Sequence, residues 1–267
     1  MRVALIGAGH IARALAEGWR RAPAPPALVA YDVVPEAAAA LAAATGAEVA
    51  ASAAAAAEAA DVVVVAVRPP QVASALAALR DALGARPLVS LAAGVPVARL
   101  TAALPHGARV GRAMPSVSAR LRLGATLVVA GTLGEALAGV RDLFRLVGAV
   151  FDLDEGSLDA ATAVSGCLPG VVARLAAGLT AAAVAEGVPA DVAGPLVRSA
   201  LHGAAAVVDD EGDPERVLTA AATPGGMTAA AVEALAAAGI DAALRAAVRA
   251  AAARAAALAP DGAGDTD

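Results

Sequence analysis

Residues 3–12, Val-Ala-Leu-Ile-Gly-Ala-Gly-His-Ile-Ala, constrain this chain more than any other stretch. Val3 to Ile6 is a short apolar run with β-branched members, and a helical pattern follows at 13–21. Between them stands G-x-G-x-x-A, the strand–turn–helix of a dinucleotide site. Gly7 permits the tight turn. Gly9 carries no Cβ to obstruct a pyrophosphate, and Ala12 lets the helix pack closely on the strand. The helix start adds unpaired N–H groups and a positive dipole end, both suited to phosphate. His10 and Ile11 complete this candidate cofactor-binding stretch, and His10 is either a donor to phosphate or ribose or an exposed loop histidine.

Asp32 closes the next apolar run, at the distance from Gly9 where an acidic residue meets the adenosine ribose hydroxyls. No Arg follows it immediately, so the 2′-phosphate of NADP would face a negative charge. The cofactor expected is NADH or NADPH, with NADH favoured. The alternative reading of Asp32 is a cap for the helix that starts near Pro35.

Residue types exclude several chemistries. All 20 basic residues are Arg, so Schiff-base catalysis, a P-loop and a Lys general acid are ruled out. The single Tyr, at position 31, removes a Tyr–Lys reductase pair, and the absence of Lys disfavours a β-hydroxyacid dehydrogenase. One cysteine, Cys167, cannot form an intrachain disulfide and fits a reducing compartment. No Cys–His cluster has ligand spacing, and no metal site is expected. A net charge of −5 argues against nucleic acid as a partner. The apolar start runs straight into the glycine turn and does not resemble a signal peptide. Apolar stretches interrupted by Arg174, Glu186 and Arg198 argue against a membrane span. The expectation is a soluble, cytoplasmic protein.

Strands are expected at 27–31, 48–51, 61–67, 87–91, 109–113, 124–130 and 150–153, alternating with helices at 35–44, 52–59, 71–83, 96–104 and 133–147. The valines of 62–65 predict a strand buried on both faces, hence parallel. Ligands in such sheets sit at the carboxyl ends of strands. Gly7 to Ala12, Val67 to Pro69 and Ala92 to Gly94 are three such ends and form one candidate crevice. Beyond residue 154 only helices are expected, at 157–164, 169–186, 190–209, 214–221, 227–238 and 240–258. Their apolar surfaces predict burial against a partner subunit. The domains expected are 1–154, 155–259 and a disordered tail, 260–267.

Six segments occur in a telling order: Gly7-Ala8-Gly9, Ala66-Val67-Arg68-Pro69, Ser90 to Val95, Arg112-Ala113-Met114-Pro115, Ser165-Gly166 with Pro169, and Thr223-Pro224-Gly225-Gly226-Met227-Thr228. Across nearly the whole chain this resembles the pyrroline-5-carboxylate reductase family, and the late Thr-Pro-Gly-Gly signature is the specific part. The resemblance implies an α/β fold, with an N-terminal Rossmann-type dinucleotide-binding domain followed by an all-α dimerisation domain. It implies reduction of a cyclic imine carboxylate by NAD(P)H in proline biosynthesis, in a homodimer or higher homo-oligomer. It also extends the cofactor contacts to Ala66, Met114 and Pro115. The chain departs from the family at Arg68 for Lys, at Ser116, Val117 and Ser118 for Asn-Thr-Pro, at Cys167, Leu168 and Val171 in the Ser-Gly segment, and at Thr219 for Asp.

For the substrate, Gly225 and Gly226 would present backbone N–H groups to a carboxylate ahead of the helix at Met227. Thr228 adds a hydroxyl and, by the resemblance, is taken as catalytic with Glu211, which either stabilises an iminium with its carboxylate or is a solvated charge beside Asp209, Asp210 and Asp213. Thr223 is a further donor or a helix cap. Cys167 and Leu168 are expected to border the substrate. A reductase of another cyclic imine and a non-catalytic nucleotide-binding homologue remain the alternatives at this stage.

Overall fold

The computed structural model describes residues 1–257; the tail expected to be disordered, 260–267, lies outside the described residues. Two compact units emerge among the described residues: Met1–Cys167 together with 251–257, and Leu168–Ala250.

In the first unit the described residues form one eight-stranded sheet. Its strands are β1 (Arg2–Ile6), β2 (Ala27–Tyr31), β3 (Glu48–Val49), β4 (Val62–Val65), β5 (Leu88–Ser90), β6 (Val110–Pro115), β7 (Gly124–Val129) and β8 (Gly148–Asp152). Their order is β3-β2-β1-β4-β5-β6-β7-β8. All pairings are parallel except β6 with β7. The four valines of β4 are fully or almost fully buried, as a strand covered on both faces requires. One rung crosses the sheet at the carboxyl end: Tyr31, Ile6, Val65, Ser90 and Arg112 pair in sequence. The loops after β1, β2, β4 and β5 therefore leave the sheet at one edge.

Helices α1 (His10–Arg20), α2 (Pro35–Thr45), α3 (Ala53–Glu58), α4 (Val72–Leu79), α5 (Val97–Ala102) and α6 (Ala136–Arg145) connect and cover the strands. Ser52 caps α3 by accepting the Ala55 amide at 3.0 Å, which satisfies one of the orphan donors of the first turn. A 3₁₀ turn, Pro69–Gln71, stands where the expected helix 71–83 began. Its two prolines lack N–H donors, and the α-helical bonds start only after it. With few aromatics, the core relies on close approach. Trp19 is fully buried, donates Nε1–H to the Leu143 carbonyl at 2.9 Å, and lies 6.1 Å from Phe144. A Cβ on Gly18 would meet the Ala119 carbonyl at 2.1 Å, so α1 packs directly on the 3₁₀ turn Val117–Leu121.

The expected boundary at residue 154 falls at the start of α7 (Glu155–Ser165). This helix groups with the sheet unit because Leu158 packs against Val97, Leu127 and Val129. In the second unit stand α8 (Leu168–Ala185), α9 (Ala190–Glu211), α10 (Pro214–Ala221), α11 (Met227–Ala237) and the start of α12 (Ile240–Ala257). Ala193 and Val197 are buried, whereas Leu175, Leu179, Leu196, Val207, Leu235 and Leu244 are exposed. The stretch Glu155–Ala185 is long and apolar enough to cross a membrane by length and composition alone, a test that core helices of soluble proteins also pass.

Candidate cofactor and substrate site

A cavity of about 770 Å³ opens at the carboxyl edge of the sheet in the first unit. That is the size range of small-molecule and cofactor sites. It gathers Gly7, Gly9, His10 and Ile11 after β1, Asp32 after β2, Ala66, Val67, Arg68 and Pro69 after β4, and Ala92 and Ala93 after β5. The shared rung explains this convergence, since each segment starts from the same level of the sheet.

The glycine turn divides its tasks. Gly7 has φ +99°, and a Cβ there would meet the Ala66 carbonyl oxygen at 2.8 Å. Only glycine satisfies both demands. Gly9 is extended (φ −72°, ψ −170°), and a Cβ there would meet nothing within 4 Å. That open space lies at the start of α1, beside the cavity. Gly9 gives the helix no side-chain cap, and the first bond is Arg13 N–H to Gly9 carbonyl at 3.0 Å. Among the described residues the amides of His10, Ile11 and Ala12 have no acceptor. The first two belong to residues that line the cavity, and free donors with an empty approach are what a pyrophosphate needs. The residues present fit a dinucleotide.

Asp32 does more than close β2. Its Oδ2 accepts the Ala8 amide at 2.7 Å, and its Oδ1 accepts the Val34 amide at 2.9 Å. It thus ties the glycine turn to the loop before α2. It is not the cap of α2, which falls on Val34 with no side-chain bond. Val33 and Val34 follow it, exposed, on the cavity wall.

Four candidate cofactor residues lie outside the cavity lining. Ala12 is fully buried between helix and sheet, the packing role its small size suits. Gly94 stands in the turn beyond Ala93 with φ +69°. Met114 and Pro115 continue β6, opposite Leu127 and Thr126, instead of forming a loop. Antiparallel pairing with β7 extends the strand past the expected end at 113, and Met114 packs near Leu127 and Leu158.

Sequence reasoning missed one wall of the cavity. Gln71, Ser74, Ala75 and Ala78 line it from the turn before α4 and from α4 itself. Their i, i+3, i+4, i+7 spacing is the helical-face signal that could have found them. Also missed was a charged pair beneath the crevice: Arg112, only 3% exposed, bonds to Glu155 at 2.9 Å.

The candidate substrate residues lie in the second unit, apart from Cys167, which belongs to the first. Gly226 caps α11 with no side-chain bond, and Gly225 has φ +73°. The Gly226 amide donates to the Thr223 carbonyl at 2.9 Å, and a Cβ on Gly226 would lie 2.6 Å from Thr223 Oγ1. Thr223 therefore braces the turn with its backbone and does not cap the helix. The first helical bond here is Ala230 N–H to the Gly226 carbonyl at 3.2 Å, which leaves the amides of Met227, Thr228 and Ala229 without acceptors among the described residues. The start of α11 repeats the glycine-capped design of α1. Met227 and Thr228 are exposed. Glu211 ends α9 and pairs with Arg216 at 3.3 Å on the surface. Cys167 and Leu168 are exposed at the start of α8.

Two known families match separate stretches of the chain. Residues 2–94 match a family described as NADP oxidoreductase, coenzyme F420-dependent, and residues 155–258 match pyrroline-5-carboxylate reductase dimerisation. The pyrroline-5-carboxylate reductase of Mycobacterium leprae is 34% identical, over 90% of this chain and 90% of that one. The chain belongs to the pyrroline-5-carboxylate reductase family. The reductase of Pseudomonas aeruginosa is 36% identical, again over 90% of both chains. A solved pyrroline-5-carboxylate reductase from Coxiella burnetii shares the fold with a TM-score of 0.87 at 26% identity, covering 97% of this chain and 98% of that one.

Proposed function

We propose that this family member is a cytoplasmic homodimer or higher homo-oligomer that reduces pyrroline-5-carboxylate to proline, with NADH as the preferred donor. The observation that carries the reading is the open, glycine-capped start of α1 beside a cavity large enough for a dinucleotide. The amides of His10 and Ile11 would hold the pyrophosphate. Asp32 would accept from the adenosine ribose while its backbone bonds keep it in place. The reduced nicotinamide supplies the hydride when bound.

The preference for NADH rests on charge. A 2′-phosphate at the end of β2 would meet the Asp32 carboxylate and two exposed valines. The arginine in the described cavity lining, Arg68, comes from the end of β4 instead. The substrate carboxylate is assigned to the free amides at the start of α11, with the Thr228 hydroxyl beside them. Glu211 is assigned to the iminium charge, and Cys167 and Leu168 to the wall of the substrate pocket. A substrate iminium arrives already protonated, which suits a chain without a Lys acid. The exposed leucines of α8 and α9 support pairing of two chains through the helical half, the region that matches the family's dimerisation model.

The test is turnover of the purified protein with pyrroline-5-carboxylate and each cofactor, alongside cyclic imines of other ring sizes. Proline formation with NADH faster than with NADPH is expected. Turnover of a larger or substituted ring in preference to the five-membered one would reassign the substrate, and cofactor binding with no turnover would remove the enzymatic reading.

A further inference from the structure

We propose that Arg112 and Glu155 are a positioning pair for hydride transfer, holding the turn between β5 and α5 at the nicotinamide end of the cavity. The proposal rests on the dinucleotide reading above. Asp32 marks the adenosine end, so the opposite end, beyond β4, falls at Ala92 and Ala93.

The geometry is specific. Arg112 sits on the same rung as Ser90, and its guanidinium is buried beneath the turn that follows β5. Nη1 donates to Glu155 Oε1 at 2.9 Å, and Nη2 donates to the Ala92 carbonyl at 3.2 Å. Glu155 Oε1 also accepts the Val97 amide at 2.8 Å, at the start of α5. The Ala92 amide in turn donates to Ser90 Oγ at 3.3 Å. Both ends of the segment 92–97 are thus fastened to one ion pair, Ala92 to Arg112 and Val97 to Glu155. Between them, the amides of Ala93 and Gly94 have no acceptor among the described residues, and Ala93 borders the cavity.

Stability alone does not call for this arrangement. Burying an ion pair is often no better than apolar packing of the same volume, because desolvation offsets the attraction. Arg112 Nε is buried without a partner, a further energetic cost. What the pair provides is direction: a planar guanidinium fixes a carbonyl and a carboxylate at set angles. The turn it fixes would decide how the nicotinamide ring faces its substrate. Placement errors of about 1 Å at a reacting centre lower rates on the order of 100-fold.

The test uses the full-length protein and three variants, Glu155→Gln, Arg112→Lys and Arg112→Met. Two ligands are titrated: NADH, and ADP-ribose, which lacks the nicotinamide. Melting followed by Trp19 fluorescence confirms folding. Glu155 is about one-third exposed and Gln keeps an acceptor oxygen for Arg112 and Val97, so Glu155→Gln removes the charge with the least disturbance and remains testable if the Arg112 variants do not fold. In folded variants ADP-ribose affinity is expected to be unchanged, NADH affinity to fall about tenfold, and kcat to fall about 10- to 100-fold with KM for the imine little altered. Arg112→Lys should recover part of the kcat lost in Arg112→Met. Equal loss of ADP-ribose and NADH binding would overturn the proposal, as would wild-type kcat and NADH affinity in Glu155→Gln. If the wild type binds NADH but reduces no imine, the functional reading fails, and the ratio of the two affinities still decides the role of the pair.

Discussion

Replacing Gly9 by Ala or Gly7 by Ala adds the same methyl group to the same turn, with opposite expected consequences. At Gly7 the backbone stands at φ +99° and the new Cβ would lie 2.8 Å from the Ala66 carbonyl oxygen. The strained dihedral costs about 1–3 kcal/mol, and forcing the methyl against backbone adds about 1–3 kcal/mol. A total near 4 kcal/mol corresponds to a fall in Tm of roughly 8–16 °C for a unit of this size. At Gly9 the dihedrals suit any residue, and the new Cβ would meet nothing within 4 Å. Gly9→Ala should therefore melt close to the wild type, because a gain of about 0.4–1 kcal/mol through the unfolded chain is offset by the poorer N-cap that Ala makes for α1, about 0.5–1 kcal/mol. Its cost falls on the ligand. The methyl occupies the approach to the free amides of α1, and loss of one charge-assisted hydrogen bond, about 1.5–3 kcal/mol, weakens NADH on the order of 10- to 100-fold. Trp19 is the chain's single tryptophan and is fully buried in the first unit, so its fluorescence reports the melt. Titration with NADH reports the affinity. Wild-type NADH affinity in Gly9→Ala, or an unchanged Tm in Gly7→Ala, would refute the assignment of the turn.

Other outcomes follow from the same geometry. Asp32→Asn replaces one of two acceptors for the Ala8 and Val34 amides with a donor, and should lower stability by about 1–2 kcal/mol while reducing the preference for NADH over NADPH in parallel assays. Thr228→Val should raise KM for pyrroline-5-carboxylate about tenfold and leave NADH affinity unchanged, as steady-state kinetics and a separate titration would show. Trp19→Phe removes the partner of the Leu143 carbonyl and leaves a void, for a loss of about 2–3 kcal/mol in denaturant unfolding. Leu179→Glu places a charge on the exposed apolar surface of α8 and should drive the assembly toward monomers in sedimentation analysis.

Much of the first unit was legible because its determinants are local. The glycine turn, the valines of β4 and the Ser52 cap each act within a few residues, and the strand at 27–31 needed no distant information. What escaped the sequence depends on partners far along the chain. The extension of β6 through Met114 and Pro115 needs β7 as its antiparallel partner, and nothing in the strand itself states that direction. Asp32 could be read as a ribose ligand or a cap, but its bond to the Ala8 amide depends on the strands lying side by side. The link from Arg112 to Glu155 spans 43 residues and has no periodic signature. The cavity face of α4 is the opposite case, since its spacing was visible and only its orientation was not. In the helical half, helices were expected because no strand pattern appears there. The start of α11 matched the motif, yet the brace from the Thr223 carbonyl to the Gly226 amide was not foreseen.

Reduction of pyrroline-5-carboxylate by purified full-length protein tests the central claim most directly, with nicotinamide absorbance and proline formation followed together. Loss of NADH matched one for one by proline, faster than with NADPH and largely abolished in Gly9→Ala, is the expected result. Neither cofactor being consumed at saturating substrate, or turnover surviving intact in Gly9→Ala, would contradict it.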